Sequence, residues 1–341
     1  MQNGNILAGN ASAPGKLMLA GEYAVLDGGR ALAVALDGEL RVRCEAVREE
    51  DPQHPGTLIE LRSNLWSEPR FVELTGDDTP QDPDPFTDAA LTAVAGFPIK
   101  PTKIVFEVDG NLDPSHGAGS SSALRLAVLA AARHISADSL INVSELAESA
   151  LELQRRTQPA ASGYDIAVQS RGGLIVFREG ASKSLSSRSS EQLDKLAGFV
   201  HVMVGGKGAP TGPTMRQFME WLGHDSRRAK LMELSESLVD AWQDFLAAQD
   251  AGPLPGLFAA VGNHRDFMAG SPVFPEAVAD ALETLPGLDQ SWTWKTTGAG
   301  GEDAIILIGK PEAVAAPQSA LAALGWRKSP FNFTQQGLAT W

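Results

Sequence analysis

The chain is poor in several things that would each have pointed to a function. Cys44 is its only cysteine, so neither an internal disulfide nor a thiolate metal cluster can form. A reducing compartment is permitted, not demanded. No run of about 18 apolar residues occurs, which excludes an ordinary transmembrane helix. Positive charge is scarce: 28 Lys and Arg stand against 42 Asp and Glu, a net charge of −14. A field of that sign repels nucleic acid and anionic lipid, so neither is expected as a partner. His134, His201, His224 and His264 show no metal-ligand spacing. Met1–Ala11 has no basic stretch followed by an apolar one, as a secretion signal would, and a cytoplasmic location is expected.

What is present suits a globular protein. Hydrophobic residues make up 43% of the 341 and charged residues 21%, enough to bury a core and too little charge for disorder. At roughly 100–200 residues per domain the length suggests about two domains. Residues 31–48 partly alternate apolar and polar, as half-buried strands do. Residues 49–85 are rich in Asp, Pro and Gly around an apolar island at Trp66–Leu74, which reads as an excursion or hairpin. Strands are predicted at 104–108, 173–177, 199–204 and 303–308. Helices are predicted at 86–96, after 122, at 144–158 with Ser144 as N-cap, and at 225–249, 255–269, 275–285 and 312–324. The Ser-rich stretch 180–192 is the best domain junction, placing one lobe at 1–185 and a second at 186–341. Strands and helices mix without the regular alternation of a doubly wound sheet, so the fold class is α+β with two packed lobes.

Four segments carry chemistry. The first is Pro114-Ser115-His116-Gly117-Ala118-Gly119-Ser120-Ser121-Ser122, running straight into a helix. Its glycines let the backbone curl around an anion, and free N–H groups at the helix start would face phosphates. Its serine hydroxyls can add donors or ligate Mg²⁺. It is neither a Walker loop, since no Gly-Lys-Ser/Thr closes it, nor a G-x-G-x-x-G fingerprint. Read alone, it is equally a flexible turn capping a helix. The second, Thr296-Thr297-Gly298-Ala299-Gly300-Gly301, precedes a strand and is equally readable as a hairpin turn. The third contains Pro14-Gly15-Lys16 with Glu22 after an apolar stretch. A lysine there can present an ammonium to an anion; a surface Lys and Glu bracketing a buried strand is the plainer reading. The fourth, Ser162-Gly163-Tyr164-Asp165, places an aspartate between a small-residue turn and an apolar segment. Such an Asp is usually a turn or cap residue and becomes of interest as a partner for Lys16.

These four segments, in this order and spread over residues 12–303, resemble the motifs of the GHMP kinase superfamily. Residues 13–22 are similar to its A-P-G-K-x4-G-E motif, 114–122 to its phosphate loop and 298–301 to its C-terminal glycine loop. Within the superfamily the sequence looks most like phosphomevalonate kinases. Gly21-Glu22-Tyr23 stands where mevalonate kinases more often have Gly-Glu-His, and Ser162–Ala167 with Gly172-Gly173 resembles the phosphomevalonate kinase segment. The resemblance implies an N-terminal lobe like ribosomal protein S5 domain 2, a ferredoxin-like C-terminal lobe, and ATP with Mg²⁺ in the cleft between them. It implies a catalytic Asp165 beside Lys16, nucleotide contacts from Pro114, Gly117, Ala118, Gly119, Ser120, Ser121 and Ser122, and Mg²⁺ ligation by Ser121 and Glu22. Acceptor contacts would come from Lys16, His116, Ser162, Thr211, Gly298, Ala299 and Gly300. Three departures stand out: Ala118 for the usual Leu or Ile, His116 near the place of a frequent lysine, and Glu302 in the third loop.

The implied reaction is ATP-dependent phosphorylation of phosphomevalonate to diphosphomevalonate, on a monomer or homodimer. An acceptor already carrying phosphate calls for a basic cluster, and Arg155, Arg156, Lys207, Arg216 and Lys295 are the nominees. The alternatives are mevalonate or another small alcohol as acceptor, a catalytically silent ATP or metabolite sensor on the same fold, and a decarboxylase of a phosphorylated mevalonate.

Overall fold

The computed structural model describes residues 5–48, 56–74, 84–136, 141–179, 181–184, 189–205, 211–223, 226–249, 252, 254–300 and 304–341. The first half supplies strands β1 (Asn5–Ala20), β2 (Ala31–Arg48), β3 (Thr57–Ser63), β4 (Arg70–Leu74), β5 (Lys103–Gly110), β6 (Leu174–Arg178) and β7 (Ala181–Ser184). Its helices are α1 (Pro85–Ala95), α2 (Ser120–Ser136), α3 (Val143–Thr157) and α4 (Tyr164–Arg171). There follow α5 (Ser189–Phe199), β8 (Val200–Val204), α6 (Thr211–Leu222), α7 (Ser226–Ala247), α8 (Leu254–Ala269), α9 (Glu276–Glu283), β9 (Trp292–Thr296), β10 (Ala304–Gly309), α10 (Pro311–Ala323), β11 (Arg327–Lys328) and β12 (Ala339–Thr340). None of the helices described is long and apolar enough to cross a membrane.

The strands make two sheets. One runs β12-β1-β2-β5-β3-β4, with β6 on β2 and β7 on β6; the other runs β11-β8-β10-β9. β1 and β2 are antiparallel along their length, but the register shifts between Pro14 and Gly15. Pro cannot donate to the ladder and Gly is free to bend, so a bulge there is expected. It falls beside Lys16. α2 lies across β1 and β2 with Leu126, Ala127, Ala130 and Ala131 buried against them, small residues that let helix and sheet approach closely. β10, Ala-Ile-Ile-Leu-Ile-Gly, is buried throughout, as the centre of a sheet covered on both faces should be. Trp242, Trp292 and Trp294 are fully enclosed.

Most elements fall where hydrophobic periodicity put them. The excursion before residue 85 contains the β3–β4 hairpin. Four elements differ. The N-cap of α3 is Asn142, not Ser144: its side chain takes the amides of Ser144 and Glu145. α5 begins within the Ser-rich stretch and α6 follows the 206–210 segment; serine and glycine content hid both. Asp165 lies on a helix, α4, entered through left-handed Gly163.

The last thirteen residues tie the two sheets together. Ser329 donates to Val202 on β8, Asn332 and Asp37 exchange backbone and side-chain bonds, Thr334 bonds Ala35, and β12 adds to β1. Contact is too close for side chains. A Cβ on Gly172, at φ +73°, would sit 2.2 Å from the Gln335 carbonyl oxygen. Phe331 fills the space a Cβ on Gly38 would need.

Candidate active site

A cleft of about 320 Å³ lies between the sheets. Its floor is the segment 114–122. Asp113 caps the short 3-10 turn at Pro114–His116, accepting from the Ser115 amide at 2.8 Å and hydroxyl at 2.6 Å. Those two bonds hold the Asp113 carboxyl below the usual range. Gly117 and Gly119 then turn left-handed and α2 begins at Ser120. A side chain at Gly119 would also collide with Lys16, whose Cγ would lie 2.9 Å away.

Three successive carbonyls of this loop are engaged by Lys16 and Gln169. Gly117 accepts from the Lys16 ammonium at 2.7 Å, Ala118 from the Lys16 amide at 2.9 Å, and Gly119 from Gln169 at 2.8 Å. In a trans peptide the N–H points opposite to the C=O. The amides of Ala118, Gly119 and Ser120 therefore face away from Lys16 and Gln169. All three residues line the cleft. Such a row of N–H groups, continued by the unbonded amides of a helix start, is an anion cradle.

Lys16 is 9% exposed; besides the Gly117 carbonyl it stands 5.5 Å over the Tyr164 ring. Asp165 lines the same cleft. Its Oδ2 accepts from Gln154 at 3.0 Å and its Oδ1 from the Ile166 amide at 3.0 Å. It is the only carboxylate among the described lining residues. His116 lines the cleft too, and its Nδ1 is buried without a partner. Ser162, Gly298 and Ala299 complete this wall, and Leu17, Leu26, Leu36, Val202, Val204 and Met215 supply apolar surface.

Of the residues singled out from the sequence, Lys16, Pro114, His116, Gly117, Ala118, Gly119, Ser120, Ser121, Ser122, Ser162, Asp165, Gly298 and Ala299 are brought together. Gly300 packs behind the loop against Val273. The side chain of Thr211, with Lys207 and Glu302, lies outside the described residues. Glu22 requires correction. It is 2% exposed and pairs with Lys295, itself 1% exposed, across the two sheets, and it does not line the cleft. A carboxylate neutralised by a buried lysine is not placed to ligate a metal at the phosphates. Lys295 is thereby removed from the acceptor-binding nominees. Arg156 pairs with Asp88 at 2.9 Å and Arg155 with Glu179 at 3.2 Å, and Arg216 is exposed. A dedicated basic cluster is therefore not assembled among the described residues.

Sequence reasoning passed over several contributors. Tyr23 adopts φ 61°, unusual for a bulky residue. Its ring stacks on Phe218 at 3.7 Å and its hydroxyl donates to the Ala299 carbonyl, so it holds the third loop at the cleft. Gln154 and Phe331 also line the site. Arg125 touches Ser121, and its signal was legible: one arginine inside the apolar run 123–132.

His264 lies close to the Glu22–Lys295 pair, fully enclosed, its Nε2 without a partner. Burial, opposed in part by Glu22, pulls its pKa from 6.5 down to about 4. Between those values the unfolded chain binds a proton that the folded chain refuses. Stability is therefore expected to fall as pH drops from about 6.5 to about 4. Denaturant melts at several pH values should show this slope, and His264→Gln should flatten it; an unchanged slope in that variant would assign the effect elsewhere.

Comparison with known proteins agrees with this architecture. The sequence profile of the GHMP kinases N terminal domain matches residues 87–173. The chain superimposes on the Streptococcus pneumoniae phosphomevalonate kinase in complex with phosphomevalonate and AMPPNP, with a TM-score of 0.68 at 15% identity, covering 95% of this chain and 99% of that one. The chain has the α+β fold of GHMP kinase structures over nearly its whole length, and residues 87–173 are similar to the N-terminal domain of that family. Its relatives divide between two activities. The mevalonate kinase of Aeropyrum pernix is 28% identical over 178 residues, 51% of each chain, so the alignment spans about half of that relative. The phosphomevalonate kinase of Streptomyces sp. is 25% identical over 351 residues, 88% of this chain and 90% of the relative.

Proposed function

We propose that the cleft binds ATP and transfers its terminal phosphoryl group to a small anionic acceptor, phosphomevalonate first among them, whose phosphate becomes the diphosphate of diphosphomevalonate. The observation that carries the reading is the convergence of an amide-lined loop, the Lys16 ammonium and a lone carboxylate, Asp165, in one cleft. Phosphoryl transfer asks for positioning and charge neutralisation more than covalent help. The loop amides and the start of α2 hold the phosphates. An oxygen of the acceptor, a phosphate oxygen of phosphomevalonate or a hydroxyl of mevalonate, attacks the γ-phosphorus, the bond to the bridging oxygen breaks, ADP leaves, and Asp165 orients the attacking oxygen and takes any proton it carries. Lys16, fixed by the Gly117 carbonyl, stabilises charge developing on the transferred group. Thr297–Ala299 and Tyr23 close the acceptor side.

The donor set suits a Mg²⁺ that arrives on the nucleotide and not a resident one. No three His, Cys, Asp or Glu side chains cluster to hold a metal among the described residues. Mg²⁺ ordinarily takes only one or two protein carboxylates beside phosphate and water, and Asp165 is the carboxylate in reach. When bound, the ion would neutralise charge on the β- and γ-phosphates.

Phosphomevalonate is favoured because the Streptomyces relative, 25% identical over 88% of this chain, is more similar than a mevalonate kinase aligned over comparable length, 20% identical over 82%. His116, with an unpartnered Nδ1 in the cleft, is a ready contact for a second phosphate. Mevalonate is the second reading, supported by the commitment of Arg155, Arg156 and Lys295 to ion pairs. An acceptor panel scored by ADP release decides. ADP release with phosphomevalonate and little with mevalonate is expected; the opposite ranking selects mevalonate, and tight ATP binding with no turnover on any acceptor selects a sensor.

A further inference from the structure

One enclosed residue of α2 is an arginine. Arg125 is 3% exposed, in a helix otherwise buried through Ala, Leu, Val and the small Ser122. Its Nη1 donates to the Ser121 hydroxyl at 2.6 Å and to the Ser121 carbonyl at 3.3 Å. Nη2 reaches Thr157 Oγ1 only at 3.5 Å, and Nε is buried with no partner. No carboxylate pairs with it directly among the described residues; Asp165 and Asp88 act on it from farther away. Asp88 is itself taken by Arg156.

A guanidinium carries five N–H donors, and burying its charge among neutral partners is costly. Burial accordingly draws its pKa below the ordinary arginine value. A leucine or methionine would pack the same helix without that penalty. The charge is aimed at the phosphate loop. Ser121 lines the cleft, and its oxygen already accepts from the guanidinium. A hydroxyl that accepts on one side has its own proton to donate on another. An oxygen facing a guanidinium is also a poor site for a dication, because the two positive charges repel.

We infer that Arg125 is a positioning residue for the nucleotide's phosphates: it orients the Ser121 hydroxyl as a donor into the cleft and sets a fixed positive charge one layer behind the loop. Ser121 then acts as a hydrogen-bond donor to a phosphate oxygen and not as a metal ligand. The inference deepens the kinase reading and rests on it.

The test separates phosphate recognition from helix packing. Binding of ATP, ADP and adenosine to the full chain is measured by calorimetry with and without Mg²⁺, beside a thermal melt, for Arg125→Met, Arg125→Lys and Ser121→Ala. Arg125→Met is expected to weaken ATP about tenfold or more, the loss typical of a charge-assisted contact, while adenosine binding stays unchanged. Arg125→Lys should recover part of the ATP affinity. Ser121→Ala should weaken ATP by itself and add little on top of Arg125→Met, because the two act as one unit. In turnover, kcat should fall by a larger factor than the acceptor KM rises. Equal losses for ATP and adenosine, or no loss for either, would overturn the inference. If Arg125→Met does not fold, Arg125→Lys and Ser121→Ala carry the test, and unchanged ATP binding in both would overturn it. A wild-type protein that binds no ATP ends the kinase reading and this inference together. A wild-type protein that binds ATP as tightly as its Arg125 variants do ends only the latter.

Discussion

Asp165→Ala is expected to lower turnover by about 10²–10⁴-fold, the range spanned by general acid–base groups, with ATP affinity little changed. The reasoning is geometric. Asp165 is the lone carboxylate among the described lining residues, and its two oxygens are steadied by Gln154 and the Ile166 amide. Removing it deletes the group that orients the attacking oxygen and takes any proton it carries, but leaves the loop amides that hold the phosphates. Asp165→Asn should be nearly as slow, because it keeps the shape and loses the basicity. Single-turnover kinetics beside ATP calorimetry separate the two effects. Turnover within a few-fold of wild type in both variants would remove Asp165 from the chemistry and leave Lys16 acting on phosphates alone.

The largest effect on stability is expected at a pair that touches no substrate. Glu22, just after β1, and Lys295, on β9, form an ion pair with both side chains almost wholly enclosed. Lys295 also donates to the Thr296 carbonyl at 2.7 Å, whereas Glu22 Oε2 has no partner. Truncating one member leaves the other charge buried alone, which costs about 3–5 kcal/mol. Lys295→Met should therefore melt several degrees lower. The double variant Glu22→Gln with Lys295→Met should regain much of the loss, since it removes both charges. Because the pair joins the two sheets beside the cleft, Lys295→Met should also loosen the third glycine loop and raise the acceptor KM more than it lowers kcat. A single variant melting within a degree of wild type would show that water or a rearranged neighbour satisfies the remaining charge.

The Glu22 reading shows how a motif can be recognised and its chemistry still misassigned. Glu22 was expected at a metal because it follows Lys16 in a familiar string. In the fold, β1 ends and the chain turns between them, so Lys16 reaches the loop while Glu22 enters the space between the sheets. Arg155, Arg156 and Lys295 fared similarly. Each is basic and close in sequence to a site segment, yet each is directed to a carboxylate that only folding supplies. Arg125 is the opposite case: a charge in an apolar run, visible in the sequence, whose purpose appears only when Ser121 and the cleft stand in front of it.

The sequence by itself determined what is local. The glycines at 117 and 119 dictate a left-handed loop, the apolar periodicity dictates α2 behind it, and Pro14-Gly15 dictates the bulge beside Lys16. These depend on backbone sterics and side-chain spacing within a few residues, and such rules can be read along the chain. Only the tertiary structure decided which charges meet. The Lys16 ammonium under the loop, Asp165 across the cleft, Glu22 on Lys295 and the C-terminal strap on both sheets join positions far apart in sequence. A charge buried out of water must find its partner or neutralise, and the partner available is set by how sheets and helices pack around it.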